Sequence, residues 1–449
     1  MVSQVVVVGA NAAGVNAAIA ARRTNRDADV FLITEEEDAA YSRCGLPYVL
    51  AGEIPRFGNL VTFPPSYFRS MRIDLETKTS VKAIDLHEKT VNIMREDRRA
   101  ESIPYDAVVI ATGATPSISA IKGCDKEGIF SLRTLGDGMK IKDALPQAEK
   151  GVVIGANWVG LQMAYALSQN GKETTVVESS SHILSETLDA NMADVAQRKI
   201  EENGVKVLSE ATVDEILGSE RVRGVRVGGK VIDADMVLMS TGTKPRTDLA
   251  MELGCDVGLA NAIKVDCQMQ TSMQEVYAAG DCVETQNMIT GLPTLASLGT
   301  VAVRQGKVAG VNAAGGYSIF PGALCSSVSK IFDFEVGSTG LTEAQAKTAG
   351  LPTVSAILNA KTKPEYFPGA KDISVKIVVE KDSGRIIGGQ VVGGEEVTQR
   401  VNMMSLAIQC QATVWELSKV DTCYAPPVSE MWESTALTAD LANLLLRRS

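Results

Sequence analysis

The stretch VVVVGANAAG (residues 5–14) opens the chain, and VVIGANWVG (residues 152–160) repeats its plan farther on. Each stretch is a run of β-branched residues, a glycine turn and a group of small residues that favours the start of a helix. Such a strand–turn–helix unit holds the pyrophosphate of a dinucleotide on backbone N–H groups at the helix N-terminus. Two units in one chain predict two dinucleotides, and therefore electron transfer between a flavin and a nicotinamide.

Both turns depart from the usual G-x-G-x-x-G pattern, because Asn11 and Asn157 stand where the second glycine is expected. Asparagine tolerates left-handed backbone geometry better than most residues, so we expect both turns to form. The predicted contacts to the two dinucleotides are Gly9, Asn11, Ala13 and Gly14 in the first unit and Gly155, Asn157 and Gly160 in the second.

An acidic residue follows the second strand of each unit. Residues 30–33 (VFLI) precede Glu35, and residues 174–177 (TTVV) end at Glu178. A carboxylate about 20 residues past the turn accepts hydrogen bonds from an adenosine ribose. The alternative, ordinary βα turns without a ligand, does not explain why turn, helix and acid occur together twice. No Arg or Lys occurs in residues 179–182 (SSSH), so Glu178 favours NADH over NADPH.

The bulk properties are those of a globular protein with about two or three domains. A net charge of −10 argues against a nucleic-acid partner, and no apolar run approaches the roughly 18 residues of a membrane span. The first strand runs straight into a turn, so we expect no removable leader there. The eight cysteines include no C-x-x-C pair, which predicts no zinc or iron–sulfur site and a cytosolic location. His87 and His182 are predicted surface residues, so no metal site is expected.

Strand and glycine patterns divide the chain into three predicted domains. The first comprises residues 1–114 and 245–320, the second residues 115–244, and the third residues 321–449. Further turn residues after strands are Thr112, Gly113, Gly242, Gly280 and Asp281, and an amphipathic helix is predicted to start near Gly299. The third segment contains strands predicted at 326–331, 354–358, 374–379 and 386–392. We expect the three domains to pack firmly.

Together these residues resemble the pyridine nucleotide–disulfide oxidoreductases over essentially the whole length. The resemblance implies an α/β fold with two Rossmann-like dinucleotide-binding domains, one for FAD and one for NAD, and a C-terminal α+β domain that forms a homodimer. It also implies that Asp281 bonds the ribityl–pyrophosphate region of FAD. The helix near Gly299 would direct its N-terminus, which carries about half a positive charge, at the flavin N1–C2=O edge.

The segment YSRCGLPY (residues 41–48) carries the most specific chemical signal. Family members with a redox disulfide have a second cysteine five residues on, where this chain has Val49. Cys44 therefore resembles the single cysteine of coenzyme A-disulfide reductases, NADH oxidases, NADH peroxidases and polysulfide reductases. Its thiolate would cycle with a mixed disulfide, persulfide or sulfenic acid. Ser42 and Arg43 flank it beside FAD, and we expect Arg43 and the following helix to lower its pKa. The alternative is a buried, inert cysteine.

Three further positions refine the resemblance. Ala12 stands where oxidases and peroxidases carry a histidine, which argues against their chemistry. Tyr366 and Tyr424 match the tyrosines that coenzyme A-disulfide reductases bring from the partner subunit; they would protonate the departing thiolate or simply pack at the interface. Gln162 replaces the usual glutamate beside the nicotinamide, which bears on the rate or direction of hydride transfer.

The sequence thus predicts an FAD-dependent NADH oxidoreductase that passes electrons to a disulfide, persulfide or polysulfide at Cys44, with coenzyme A as a candidate thiol. Arg22, Arg23 and Arg26 are candidates for its phosphates, or they complement a helix dipole. A different possibility is an electron-transfer subunit that uses the same FAD and NADH sites with an iron–sulfur protein partner. Arg43, Gln162 and the tail at residues 430–433 (EMWE) leave it open.

Overall fold

A computed structural model describes residues 2–118 and 121–448. Its first sheet is parallel and five-stranded. In spatial order the strands are Val276–Ala278, Ala107–Ile110, Gln4–Val8, Asp29–Ile33 and Ile73–Glu76. The central strand is completely buried at Val5, Val6 and Val7, as its unbroken β-branched run predicts.

Two helices, Ala12–Thr24 and Gly299–Ala313, pack together on one face of this sheet. Their backbones nearly touch: a Cβ on Gly306 would lie 2.1 Å from the Ala13 carbonyl oxygen, and one on Gly310 would lie 2.1 Å from that of Ala17. Only glycine allows so close an approach. The predicted helix near Gly299 is therefore present and is fixed against the first dinucleotide helix.

The rest of the first domain is made of small elements. An antiparallel sheet contains Thr79–Asp85, Thr90–Arg95 and Ala100–Pro104. The remaining elements are the helices Leu46–Leu50, Pro65–Ser70 and Asp248–Glu252, the 3₁₀ turns Arg43–Gly45, Phe57–Leu60 and Leu259–Asn261, and the strand pair Thr285–Gln286 and Pro293–Thr294.

The second domain repeats the parallel arrangement. Its main sheet contains, in spatial order, Lys206–Leu208, Glu173–Val177, Lys150–Ile154, Met236–Met239 and Ile129–Phe130. Its helices are Leu135–Ala144, Trp158–Gln169 and Ala190–Glu202, with a 3₁₀ turn at Leu145–Gln147. A three-stranded antiparallel sheet adds Val213–Leu217, Gly224–Val227 and Lys230–Asp233. The chain enters and leaves through a strand pair, Ala114–Pro116 and Thr243–Pro245.

The third domain is an antiparallel sheet with helices. The strands are, in spatial order, Ser327–Ile331, Phe334–Gly340, Ile386–Gly393, Asp372–Glu380 and Thr353–Lys361. The helices are Glu343–Thr348, Val397–Gln409, Val414–Leu417 and Ser434–Leu446. The strand Phe334–Gly340 was not among the predicted strands, because its two glycines interrupt the alternation by which strands are recognised.

Each of the three five-stranded sheets draws all its strands from one of the three segments predicted from the sequence. The predicted fold class, two Rossmann-like domains followed by an α+β domain, is confirmed; the domain boundaries themselves remain predictions. Along residues 2–118 and 121–448, no helix is long and apolar enough to cross a membrane.

A buried polar network joins the second domain to the third. Lys376, which is completely buried, places its Nζ 2.8 Å from Oδ2 of Asp189 and 3.1 Å from Oδ1 of Asn191, and it also bonds Glu343. Gln390 exchanges two hydrogen bonds with Asp189, one to its carboxylate (2.7 Å) and one from its backbone N–H (2.9 Å). We call these five residues the interdomain network.

Candidate active site

A cavity of about 550 Å³ lies where four strands of the first sheet end. Its size is typical of cofactor sites, and crevices beyond the carboxyl ends of parallel strands are where such sheets bind ligands. Twelve residues that the sequence analysis assigned to FAD or catalysis line it: Gly9, Asn11, Ala13, Glu35, Ser42, Arg43, Cys44, Thr112, Gly113, Gly280, Asp281 and Gly299. Gly14 does not line it, because this glycine packs against the Gly9 carbonyl instead.

The two dinucleotide turns are built by glycines and capped by asparagines. Gly9 and Gly155 have φ of 109° and 101°, which L side chains rarely adopt. Both turns form, as expected, but Asn11 and Asn157 are extended, with φ of −120° and −79°, and do not use the left-handed geometry that asparagine tolerates. They are helix N-caps: Oδ1 of Asn11 accepts from Ala12 N (2.8 Å), and Oδ1 of Asn157 accepts from Gly160 N (3.1 Å).

The residues of the cavity fit an FAD. The Nδ2 atom of Asn11 is buried there without a hydrogen-bond partner in the protein, although buried donors are almost always paired. The helices that begin at Ala12 and Gly299 both expose first-turn N–H groups at the cavity, which suits the phosphates and an electron-rich ring edge.

Three ion pairs line the cavity, and one member of each was not predicted from the sequence. Arg246 pairs with Glu35, Arg43 with Glu36, and Arg133 with Asp281 at 2.7 Å. Arg133 and Arg246 are 148 and 211 residues from their partners, so no local pattern could have found them. Glu36 did have a signal, since it is an acid next to the ribose-binding position.

Cys44 lies in a 3₁₀ turn and is exposed on the cavity wall, so it is not buried as the alternative had it. Crowding by protein atoms, followed by the nearby Asp281 carboxylate, raises the pKa of its thiol above the ordinary value; Arg133 and, more weakly, Arg43 oppose this. Arg43 and the next helix were expected to lower the pKa of Cys44, but the net shift of this pKa is upward. Arg43 is engaged by Glu36 at 2.5 Å, and the helix is only the five residues Leu46–Leu50.

The second nucleotide turn is held by Glu178. One carboxylate oxygen accepts the Ala156 N–H (2.6 Å) and the other accepts the Ser180 N–H (2.7 Å), which places the acid at the rim of the turn. Gly160 packs closely on the Gly155 carbonyl. Gly242 follows the neighbouring strand Met236–Met239, as predicted.

Gln162 connects the second domain to the third. It lies half-buried on the helix Trp158–Gln169, and its Nε2 donates to Oγ of Ser329 (2.9 Å) on the strand Ser327–Ile331. Glutamate, the residue that the family usually has at this position, could not donate this hydrogen bond. In this chain Gln162 therefore has a hydrogen-bond partner, Ser329, that accepts from its amide.

Tyr366 and Tyr424 lie together outside the cavity. Their hydroxyl oxygens are 3.3 Å apart, and the side chains are 75% and 41% exposed. The hydrogen bond with Tyr366 raises the pKa of Tyr424, so its phenol keeps its proton in neutral solution. Neither lines the cavity of its own chain.

The cysteines form no disulfide bonds: all eight are free. Over the described ranges, no group of three His, Cys, Asp or Glu side chains could hold a metal ion. His87 is almost fully exposed, and His182 contacts the Ile183 carbonyl.

The similarity to known proteins covers nearly the whole chain. Residues 3–306 match the model of the pyridine nucleotide-disulphide oxidoreductases, and residues 326–436 match the dimerisation domain of that family. A protein of Methanocaldococcus jannaschii named NADH oxidase is 41% identical over 97% of each chain. One of Pyrococcus furiosus named NAD(P)H sulfur oxidoreductase (CoA-dependent) is 36% identical over 97% of this chain and 98% of its own.

The solved structure of an NAD-dependent persulfide reductase from A. fulgidus is also similar, with a TM-score of 0.95 and 37% identity over 99% of this chain and 83% of that one. These matches confirm the resemblance to the single-cysteine branch that the sequence indicated. The chain therefore belongs to the pyridine nucleotide-disulphide oxidoreductase family, as a flavoprotein enzyme that uses FAD and NADH and carries its own dimerisation domain.

Proposed function

We propose that this enzyme uses NADH to reduce a disulfide, persulfide or polysulfide, and that Cys44 is the residue that attacks the acceptor sulfur. The observation that carries the proposal is the position of this cysteine, which is exposed in the wall of the cavity and has no second cysteine within reach along the chain. FAD, when bound, takes a hydride from NADH and makes two electrons available to a sulfur acceptor.

The proposed chemistry balances over one cycle. The Cys44 thiolate attacks one sulfur of the acceptor, a Cys44–acceptor disulfide forms, and the other sulfur leaves as a thiolate or shorter polysulfide that takes up a proton. The two electrons supplied by NADH then break this mixed disulfide, which restores the Cys44 thiolate and releases the second thiol. One NADH and one proton are consumed for each acceptor disulfide reduced to two thiols.

The other predicted site residues have supporting roles in this proposal. Backbone N–H groups after Asn11 and Asn157 bind the two pyrophosphates, and Glu35 and Glu178 bind the adenosine riboses. Asp281 holds the middle of the FAD. Tyr424, assisted by Tyr366, protonates the departing thiolate across a homodimer interface.

Two names among the relatives support the choice of acceptor. The P. furiosus protein is named a CoA-dependent sulfur oxidoreductase, and the A. fulgidus protein a persulfide reductase. We therefore propose coenzyme A, as a thiol or disulfide, and inorganic polysulfide as the first acceptors to test. The M. jannaschii protein is named NADH oxidase, but Ala12 offers no hydrogen bond to a peroxide or sulfenate in this chain. The free cysteines agree with a cytosolic location, which we also propose.

The test is an anaerobic assay with NADH and four acceptors: coenzyme A disulfide, polysulfide, a ferredoxin and a dye. We compare the wild type with C44S and with C410S, which alters another exposed cysteine in the third domain. Because a hydroxyl scarcely ionises near neutral pH, C44S should lower disulfide or polysulfide turnover by a factor of about 1,000. Dye reduction, which needs no covalent relay, should persist, and C410S should behave as the wild type.

Full activity of C44S with the best sulfur acceptor would refute the proposal. Rapid reduction of the ferredoxin that is independent of Cys44, with no sulfur reduction, would instead identify an electron-transfer protein with an iron–sulfur partner.

A further inference from the structure

The charged side chains that line the cavity cancel one another in pairs. Among the described lining residues there are three carboxylates and three arginines, and every carboxylate has one arginine partner: Glu35 with Arg246, Glu36 with Arg43, and Asp281 with Arg133. Arg43 and Arg246 lie within the segments 1–114 and 245–320 that form the predicted first domain. Arg133 alone comes from the segment 115–244, so the second domain supplies one cation to the flavin-binding cavity.

The backbone of Arg133 is fixed by the start of a helix. The Asp137 carboxylate accepts the backbone N–H groups of Arg133 (3.1 Å) and Thr134 (2.8 Å), while Thr134 Oγ1 accepts the N–H of Asp137 (3.2 Å). This capping box begins the helix Leu135–Ala144 and orders the residue just before it. Arg133 therefore enters the cavity from a rigid position.

The pair of Arg133 and Asp281 is well covered. Nη2 of Arg133 lies 2.7 Å from Oδ2 of Asp281, and the two side chains are only 21% and 15% exposed. Charges screened so little by water interact over longer distances than surface charges do. Cys44 lines the same cavity as this pair.

We propose that Arg133 is a positioning residue for Cys44: it neutralises Asp281 and thereby allows a Cys44 thiolate to form in the cavity that this carboxylate also lines. This inference rests on the proposed role of Cys44. In support, Asp281 raises the pKa of Cys44 while Arg133 lowers it, and Arg133 does so more strongly than the adjacent Arg43, which Glu36 engages. Loss of Arg133 would leave a bare carboxylate near the sulfur and would disfavour the nucleophile.

The test measures the thiolate directly. In the FAD-loaded enzyme, the rate of Cys44 alkylation by iodoacetamide is followed against pH, with the Cys44 peptide quantified by mass spectrometry because other cysteines are exposed. R133Q keeps a hydrogen-bond donor and removes the charge, so the midpoint should move up by about one pH unit, and alkylation below the midpoint should slow about tenfold. R133K restores the charge and should return the midpoint most of the way to the wild-type value.

The matched control is R95Q. Arg95 has a similarly covered side chain, 19% exposed, and pairs with Glu76 and Glu101 in the first domain without lining the cavity. Its removal should leave the alkylation midpoint of Cys44 unchanged. An unchanged midpoint in R133Q, or an equal shift in R95Q, would overturn the inference.

The double variant R133Q/D281N, compared as FAD-loaded protein because Asp281 also holds the FAD in the proposed function, provides a second measurement. It removes both charges, so its alkylation midpoint should return close to the wild-type value; a midpoint as high as that of R133Q would contradict the inference. Neither result touches the proposed function, which C44S tests separately by sulfur-acceptor turnover. Failure of one is thus distinguishable from failure of the other.

Discussion

Glu35 and Glu178 follow equivalent strands in the two nucleotide-binding domains, yet they have different partners. Glu35 pairs with the guanidinium of Arg246, whereas both oxygens of Glu178 accept backbone N–H groups and no cation bonds it in the described part of the chain. The negative charge at the second site is therefore not offset. A 2′-phosphate on the bound adenosine would meet this charge directly.

We predict that E178A changes the nicotinamide preference. Removing the carboxylate abolishes the repulsion, so the ratio of kcat/KM for NADPH to that for NADH should rise by about tenfold or more. Steady-state kinetics with both donors measures it. Glu173 is an exposed acid at the start of the strand that Glu178 follows, so E173A is the control and should leave the ratio unchanged. A wild type that already prefers NADPH would contradict the argument.

At the scale of the element, the Asn157 cap links a helix to a strand. Its Oδ1 accepts from Gly160 N–H and from Ser240 Oγ (2.7 Å), and its Nδ2 donates to the Ser240 carbonyl (2.6 Å). Ser240 directly follows the strand Met236–Met239. The asparagine thus secures the turn on two sides, which glycine at this position could not do.

We expect N157A to weaken both the domain and its nucleotide site. Loss of an N-cap costs about 1 kcal/mol of unfolding free energy, and the loosened turn should raise KM for NADH several-fold. Denaturant unfolding and steady-state kinetics provide the two measurements. N203A, at the exposed C-cap of the helix Ala190–Glu202, is the control. If N157A changes the free energy of unfolding and the KM for NADH no more than N203A does, the cap does not support the turn.

The elements that could be predicted from the sequence are those with a local signature. The strand before Gly9, the turn after it and the helix near Gly299 each show a pattern within about ten residues, and all three are present. Cys44 was found in the same way, from its immediate neighbours. The extended geometry of Asn11 and Asn157 could not be predicted from the residue type, because asparagine serves both as a left-handed turn residue and as an extended cap.

The features that could not be predicted depend on contacts between distant segments. Arg133 and Arg246 form their ion pairs with Asp281 and Glu35 only in the folded protein, because the partners are far apart in the chain. The raised pKa of Cys44 also depends on Asp281, which lies more than 200 positions away in the chain. Tertiary proximity of this kind has no signature in a single sequence.

At the scale of the molecule, the interdomain network contributes to the free energy of unfolding, and a single substitution can test this contribution. We predict that K376M, which leaves Asp189 buried without its cation, lowers the free energy of unfolding by roughly 3–5 kcal/mol. Asp189 is only 8% exposed and Lys376 is completely buried, so water cannot replace the lost partner. Denaturant unfolding measures the loss, and hydrogen exchange should show faster exchange at the N-terminus of the helix Ala190–Glu202.

The control for this prediction is K150M. Lys150 forms an exposed pair with Asp233 in the second domain, so its loss should change stability little. Equal effects of K376M and K150M would mean that the interdomain network does not hold the two domains together.

The dimer permits a complementation experiment. If Tyr424 of one subunit serves Cys44 of the other, C44S and Y424F homodimers should both be impaired, whereas a mixed dimer contains one intact site. Random pairing of equal amounts should then restore about a quarter of wild-type sulfur-acceptor turnover. Turnover no higher than the average of the two homodimers would place both residues in the same subunit or remove Tyr424 from the reaction.

The contact between the helices Ala12–Thr24 and Gly299–Ala313 joins segments from distant parts of the chain. It therefore forms only after the second of these helices has been synthesised. The last strand of the second parallel sheet, Met236–Met239, leaves the ribosome before the strand Val276–Ala278 and the helix Gly299–Ala313 that complete the first. The inserted domain can therefore form its sheet while the amino-terminal strands still wait for their neighbours. The cavity for the flavin is complete only after the helix Gly299–Ala313 has been synthesised, because its lining runs from Val8 to Val303.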